Sequence, residues 1–321
     1  MGSHHSDILV IGAGMAGLTC ATRLASAGKT VMVLDKGRGP GGRMAARRAE
    51  LGGEQVSFDH GAQYFTARGA DFKLVVEQWQ QTGVVAPWPA AGDDAWVGVP
   101  GMNAPIRAMA QEIDVKWGVR AESLTHNGKD WCAIAGDDRY CASTVLIAVP
   151  AEQAQALLAE AAPDFADVAK GVSSEPCWAV MAAFSERLDI DDDALRDADA
   201  AIAWAARNSA KPGRAGEECW VLHASPSYSR KYLDLPKDEV APILLGEFFA
   251  QTGAAPVEPT HCVAHRWLYA MSGKIEGAPA RFDTAHSIGI AGDYLHSPRV
   301  EGAFESGAAL AKLVIEGIDR Y

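Results

Sequence analysis

Three short glycine runs with polar neighbours carry most of the chemistry this chain could perform. The first is Gly12-Ala13-Gly14-Met15-Ala16-Gly17, with Asp35 a short distance beyond it. In such a G-x-G-x-x-G run, Gly12 permits a tight turn, Gly14 lets a pyrophosphate approach the backbone, and Gly17 lets a helix pack close to a strand. The amides opening that helix can hold phosphates without any basic side chain. Asp35 is placed to accept both hydroxyls of a ribose. The second run, Lys36-Gly-Arg-Gly-Pro-Gly41-Gly42-Arg43-Met44, follows at once. Arg43 there could meet a phosphate, with Gly41 and Gly42 passing close to it. The third run joins Gly292-Asp293 to Val300-Glu301-Gly302-Ala303, small residues at another helix start. Together these runs predict an adenine dinucleotide site.

The elements that must position them are legible from periodicity. Ile8 to Ile11 is an unbroken apolar run, as in a parallel strand buried on both faces. Met15 to Ala27 reads as a helix ended by Gly28, and Thr30 to Leu34 as the second strand. Helical spacing recurs in Asp71–Gln81, Ala104–Gln111, Glu152–Ala161, Lys237–Thr252 and the segment running to Ile318. Alternation with turns at Asn127-Gly128 and Gly136-Asp137 suggests a small antiparallel meander from Val115 to Tyr140. Thr144 to Val149 is a further buried strand. Trp178–Phe184, Ala200–Ala206, Cys219–Ala224 and His261–Tyr269 read as aromatic-rich strands of a second unit. The acidic stretch Leu188–Asp199 reads as a solvated loop or edge. The expected fold class is mixed α/β (α+β). A discontinuous Rossmann-type domain (1–70, 98–150, 281–321) carries a second sheet-plus-helices domain (71–97, 151–280) for substrate.

A net charge of −12 over 321 residues argues against nucleic acid or an anionic membrane as the main partner, without excluding a local basic pocket. No run is long and apolar enough to span a bilayer. The six cysteines (20, 132, 141, 177, 219, 262) show no metal spacing and read as reduced thiols of a cytoplasmic protein. Met1 to His5 resembles a shortened expression tag and is left out of the expected fold.

The three glycine blocks together resemble the flavoproteins of the amine-oxidase superfamily, an amine-oxidase/p-hydroxybenzoate-hydroxylase-like architecture. Ala121, within Arg120-Ala-Glu-Ser-Leu124, matches the strand whose backbone meets the adenine, with alanine where the family usually has valine. Within the superfamily the chain resembles the bacterial renalase-like enzymes. The phrases that carry this are Gly61-Ala62-Gln63-Tyr64-Phe-Thr-Ala-Arg68, Trp204-Ala-Ala-Arg207-Asn208-Ser-Ala-Lys211-Pro212, Trp220-Val-Leu-His223-Ala and Ala264-His-Arg266-Trp267-Leu-Tyr269-Ala. The resemblance implies non-covalent FAD. It also implies oxidation of the 2- and 6-dihydro isomers of NAD(P)H to NAD(P)+, with electrons passed to O2 to give hydrogen peroxide. It suggests a monomer or weak dimer.

The resemblance places Gly61 and Ala62 against the cofactor and Gln63 and Tyr64 at the flavin ring. Asn208 or His223 could hydrogen-bond a carboxamide, and Trp267 or Tyr269 could stack on a pyridine. Arg207 and Arg266 belong to the same strands, and core packing is the competing role for each of these residues. A dihydropyridine that becomes aromatic on losing hydride requires no general base. Accordingly, no Ser/His/Asp set, paired carboxylates or metal cluster is expected. Related amine oxidases keep a lysine near the flavin; Lys274, in a glycine-rich loop, is a poor candidate for that place. The alternatives are an FAD-dependent amine oxidase or desaturase, and a flavin-binding sensor without turnover.

Overall fold

The computed structural model describes residues 2–214 and 216–318; the end of the expected carboxyl-terminal block, 319–321, lies outside them. The strand Ser3–Ile11 runs parallel to Val31–Asp35 on one side and to Asp138–Ile147 on the other. Asp114–Trp117 extends the sheet beyond Val31–Asp35, while Ile288–Ala291 and Ala280–Asp283 extend it at the opposite edge. Alternate side chains of the central strands serve opposite cores, as strand geometry requires. Ile8, Val10 and Val33 pack under the helices Met15–Ser26 and Val300–Ile318. Leu9, Ile11, Met32 and Leu34 pack with the helices Ala151–Leu158 and Pro163–Lys170.

The second sheet is antiparallel, in the order Ala194–Arg196, Ile202–Arg207, Glu218–Ala224, Glu175–Phe184, His261–Met271. The helix Lys237–Thr252 covers one face, burying Val240, Leu244 and Phe248 against Val180, Trp220 and Leu222. On the other face Met181, Ala183, Cys219 and Val221 rest on Leu51, Val56 and Phe58 of the hairpin Arg47–Leu51/Glu54–Phe58. A three-stranded sheet of Phe65–Thr66, Ala95–Gly98 and Val85–Pro87 lies alongside the first layer.

Several expectations are corrected. Ser3 to His5 belong to the first strand, pairing in register with Arg139 to Cys141, because a backbone ladder places little demand on side chains. Asp114–Trp117 is parallel to Val31–Asp35, so only Ser123–His126, Trp131–Ala135 and Asp138–Ile147 form the antiparallel meander. The last of these strands continues as the buried strand expected from Thr144. Cys132 and Cys141 are joined in a disulfide, facing each other across the hairpin. The remaining four cysteines are free, and burial pushes the Cys177 and Cys219 thiols up to about 12. The acidic segment, expected as a solvated loop or edge, does hold the edge strand of the second sheet, Ala194–Arg196.

Candidate functional site

Between the two sheets lies a cavity of about 2050 Å³. Ordinary small-molecule pockets measure about 300–1,000 Å³, so this one has room for a dinucleotide and a second ligand end to end. Its wall includes Gly12, Gly14, Met15, Ala16, Asp35, Lys36, Gly41 to Met44, Gly61, Ala62, Ala121, Gly292, Asp293, Val300 and Ala303.

Local geometry explains the first glycine run. Gly12 has φ +108°, and a Cβ there would stand 2.4 Å from the Ala148 carbonyl oxygen. A Cβ on Gly17 would stand 1.8 Å from the Gly12 carbonyl oxygen, so this glycine sets how closely the helix meets the turn. Gly14 meets no atom within 4 Å on the side a Cβ would occupy and faces the cavity. The Ala13 amide donates to Asp35 Oδ2 at 2.7 Å, and the Gly37 amide donates to Asp35 Oδ1 at 2.6 Å. Each carboxylate oxygen keeps a further lone pair, so the acid is oriented by the backbone while remaining able to accept ribose hydroxyls. An open glycine, a helix start and a fixed acid are what an ADP moiety requires.

Several of the positions expected at the cofactor serve the protein's own structure. Arg43 makes a two-pronged ion pair with Asp293, at 2.8 and 2.5 Å, joining the second glycine run to the third. Glu301 is buried and turned out of the cavity, its Oε1 accepting from the Arg68 and Gly69 amides at 2.7 and 2.6 Å. Gly302 is also a packing position, where a Cβ would stand 2.1 Å from the Ser297 carbonyl oxygen. Ala13 and Gly17 support the turn from outside the cavity wall, Gly17 in the packing role its spacing predicts.

At the other end the second sheet contributes Trp204, His223, Trp267 and Tyr269, facing Gln63 and Tyr64. Trp267 Nε1 donates to the His60 carbonyl at 2.8 Å, and its ring stacks on His60 with centroids 5.1 Å apart. The Gln63 amide is held at both ends. Its Oε1 accepts from Lys211 Nζ at 3.1 Å, and its Nε2 donates to the Asp59 carbonyl and lies 3.3 Å from His223 Nε2. Below it, buried Asp59 pairs with Lys211 at 3.2 Å and with Arg214, and accepts from the Met102 amide at 2.8 Å. Burial works against the Asp59 carboxylate, but Lys211 and Arg214 prevail and hold it below its usual range. Burial brings the Lys211 ammonium down to about 8.

Burial, reinforced by His265 and Arg47, lowers His60 from 6.5 to about 3. Burial lowers His223 to about 4. Both imidazoles are neutral at pH 7 and add no positive charge to the pocket. The unfolded chain takes up their protons near pH 6.5, whereas the folded chain resists until about 4 and 3. Their contribution to stability is therefore complete above about pH 6.5 and lost as pH falls through that window. Urea midpoints measured from pH 7 to pH 4 should decline, less steeply in His60→Gln. A flat profile would contradict these shifts.

Three expected pocket residues do other work. Asn208 is buried, donating to the Ser57 carbonyl at 2.6 Å and accepting from the Asp59 amide at 3.2 Å. Arg207 is 1% exposed and neutralised by Asp193 and by Glu218 at 2.9 Å, so it is unavailable to a ligand. Arg266 borders the cavity, but its guanidinium donates to the Leu233 carbonyl and lies over Trp178 on the helix-covered face. Strand alternation dictates this: Trp267 and Tyr269 share one face and Arg266 must take the other. Lys274 pairs with Glu276 and does not reach the cavity. Sequence reasoning missed Asp59, His60, Arg196 and Arg214, and named Lys211 without giving it a role. Among the described residues no cluster of three metal-ligating side chains occurs.

The cavity's charge opposes that of the chain. Lys36, Arg38, Arg43, Arg47, Arg48, Arg68, Arg107, Arg120, Arg196 and Arg299 border it, against Asp35, Glu122, Glu152 and Asp293. An acidic protein has thus gathered a large share of its cations around one concavity, which focuses a positive field on whatever enters.

Residues 10–79 match the model of NAD(P)-binding Rossmann-like domains, and residues 90–315 match that of flavin-containing amine oxidoreductases. The fold is similar to a candidate protoporphyrinogen oxidase from Exiguobacterium sp. 255-15, with TM-score 0.75, 11% identity, and 98% of this chain and 100% of that one covered. It is also similar to a putrescine oxidase bound to putrescine (TM-score 0.71, 14% identity, 98% and 100% covered). Cyclohexylamine oxidase from Brevibacterium oxydans IH-35A gives TM-score 0.65 at 12% identity, with 98% and 99% covered. Among the described residues no helix is long and apolar enough to cross a membrane. With the second match spanning well over half of its length, the chain belongs to the flavin-containing amine oxidoreductase family, and its cofactor is FAD.

Proposed function

We propose that this flavoprotein oxidises dihydropyridine nucleotides, as renalase-like enzymes do: the 2- and 6-dihydro isomers of NAD(P)H return to NAD(P)+, and O2 becomes hydrogen peroxide. The observation that carries this reading is the cation-rich cavity in an acidic chain. A pyridine nucleotide is an anion and is drawn into such a field. An alkylamine enters as an ammonium ion and is repelled, which makes amine oxidation the weaker reading within the family.

In this reading the glycine turn, Asp35 and Ala121 hold the ADP moiety. Arg43 with Asp293 braces the middle of the site, and Gln63 and Tyr64 border the isoalloxazine. The parts up to residue 70, 98–150 and from 281 onward carry FAD, while 151–280 supply the substrate wall; 71–97, expected with that wall, packs on the first layer and lends the cavity no residue. Bound FAD supplies a two-electron acceptor that gives the pair to oxygen. The protein's task is to hold the donor carbon close to that acceptor and keep water out. The planes of Trp267 and Tyr269 offer surfaces for a pyridine ring. The donor loses hydride and becomes a pyridinium, so no side chain has to remove a proton from it. Neutral His60 and His223 suit that chemistry. One further proton, taken from solvent, completes hydrogen peroxide.

Stopped-flow mixing of the holoenzyme with the 6-dihydro isomer under nitrogen should bleach the flavin. Admission of air should then restore the colour with one peroxide formed per NAD+. A flavin that stays oxidised with both isomers, but is bleached by small amines, would transfer the assignment to amine oxidation. Bleaching without reoxidation by oxygen would favour a sensor.

A further inference from the structure

The acidic segment Leu188–Asp199 delivers one cation to the cavity. Arg196 ends the edge strand Ala194–Arg196 and stands opposite Trp204 on the neighbouring strand. Its Nη2 donates to the Tyr64 hydroxyl at 2.5 Å. Its Cζ lies 4.9 Å from the Trp204 ring centre and 5.7 Å from that of Tyr64. The two rings are 5.2 Å apart at an interplanar angle of 32°, and all three residues border the cavity.

The charge of Arg196 is uncommitted. Its segment contains Asp189, Asp191, Asp192, Asp193, Asp197 and Asp199, yet among the described residues no carboxylate lies within 4.0 Å of it. Asp193 goes instead to Arg207 and Arg187. A guanidinium has five N–H donors, and Tyr64 uses one. Its plane is set by the aromatic faces beside it, so binding a planar or tetrahedral anion would cost little further ordering. Trp204 Nε1 is also buried without an acceptor, a second donor at the same wall.

We propose that Arg196, oriented by Tyr64 and Trp204, anchors the phosphate next to the reacting ring, so that the substrate is a nucleotide rather than a free base or nucleoside. The inference rests on the dihydropyridine reading above and makes it more specific. Phosphate oxygens fit the fork of the guanidinium in a bidentate, charge-assisted arrangement. The aromatic pair is also the kind of surface that attracts ammonium groups. With the chain's own guanidinium already over it, the same place rejects cations and selects anions.

The test compares the 6-dihydro isomer of nicotinamide mononucleotide with that of nicotinamide riboside, which lacks only the phosphate, in wild type, Arg196→Ala and Arg196→Lys holoenzymes. Wild type should prefer the mononucleotide, chiefly through KM. In Arg196→Ala that preference should fall about 10- to 100-fold, as for loss of a charge-assisted hydrogen-bonded contact. Arg196→Lys should restore only part of it, since an ammonium lacks the fork. A preference that survives in Arg196→Ala, or is absent from wild type, overturns the anchor while leaving dihydropyridine oxidation intact. Binding of the oxidised mononucleotide and riboside, followed by perturbation of the flavin spectrum, separates the two ideas. If neither isomer is turned over, the oxidase reading fails. Tighter mononucleotide binding that Arg196→Ala abolishes would still support the anchor, and equal binding would remove it.

Discussion

Replacing Asp59 with alanine should lower folding stability by about 3–5 kcal/mol, because it leaves buried positive charge without its counter-ion. Lys211 and Arg214 are 0% and 2% exposed at their side chains and both converge on Asp59 Oδ2. Domains of ordinary stability have about 5–15 kcal/mol in hand, so the variant should survive only in mild conditions. The Met102 amide also loses its acceptor. Adding Lys211→Met to Asp59→Ala should recover part of the loss, since it removes one of the two stranded cations. The single and double variants would thus be strongly non-additive in a urea-unfolding cycle. Additive losses would show that the three charges do not act as a unit. The consequence reaches the pocket, because Lys211 also fixes the Gln63 amide, which faces His223. Stability and the flavin spectrum should therefore change together.

How much of this was legible in the chain depends on the distance over which each contact acts. The dinucleotide turn was legible because its strand, glycines and helix are contiguous, and Gly17 serves the role its spacing implies. The disulfide was also within reach. A two-residue turn at Gly136-Asp137 puts Ala135 opposite Asp138 and, counting back, Cys132 opposite Cys141. The turn is plain in the sequence, but the scattered spacing of the six cysteines suggests reduced thiols unless the register is followed back from it. Register likewise separates Arg266 from Trp267, since adjacent residues of one strand face opposite ways.

Other contacts left no local trace. Asp59 and Lys211 are 152 residues apart, and nothing in either segment announces that one buried charge will meet the other. Arg196 is concealed by its six acidic neighbours, whose charge gives the segment the character of a solvated loop or edge. Only the pairing of Arg196 with Trp204 reveals that this edge of the sheet reaches the cavity. Asn208 stays open in the sequence for a related reason: a polar residue at a strand end meets backbone groups as readily as ligands, and here it satisfies those of Ser57 and Asp59.

Two glycines only three residues apart should respond to substitution in opposite ways. Gly14 has φ −83°, which any residue adopts, and no atom stands within 4 Å of the place a Cβ would take. Gly14→Val should therefore leave the stability of the apoprotein within about 1 kcal/mol of wild type. Its side chain would fill the space a pyrophosphate needs. A clash worth about 1–3 kcal/mol would weaken FAD binding about 10- to 100-fold, visible as a lower ratio of flavin to protein after gel filtration. Gly17→Ala adds only a methyl group, but places it 1.8 Å from the Gly12 carbonyl oxygen, a backbone atom with nowhere to go. The helix must leave the turn, and a loss of about 3 kcal/mol or more should appear in the apoprotein itself. The helix Val300–Ile318 follows, since a Cβ on Gly307 would stand 2.1 Å from the Ala16 carbonyl oxygen and the two helices leave no slack. If both variants instead lost FAD at unchanged apoprotein stability, Gly17 would be a ligand position and the assignment of packing to it would fail. If both lost stability, the open space beside Gly14 would not be the place where the cofactor's phosphates lie.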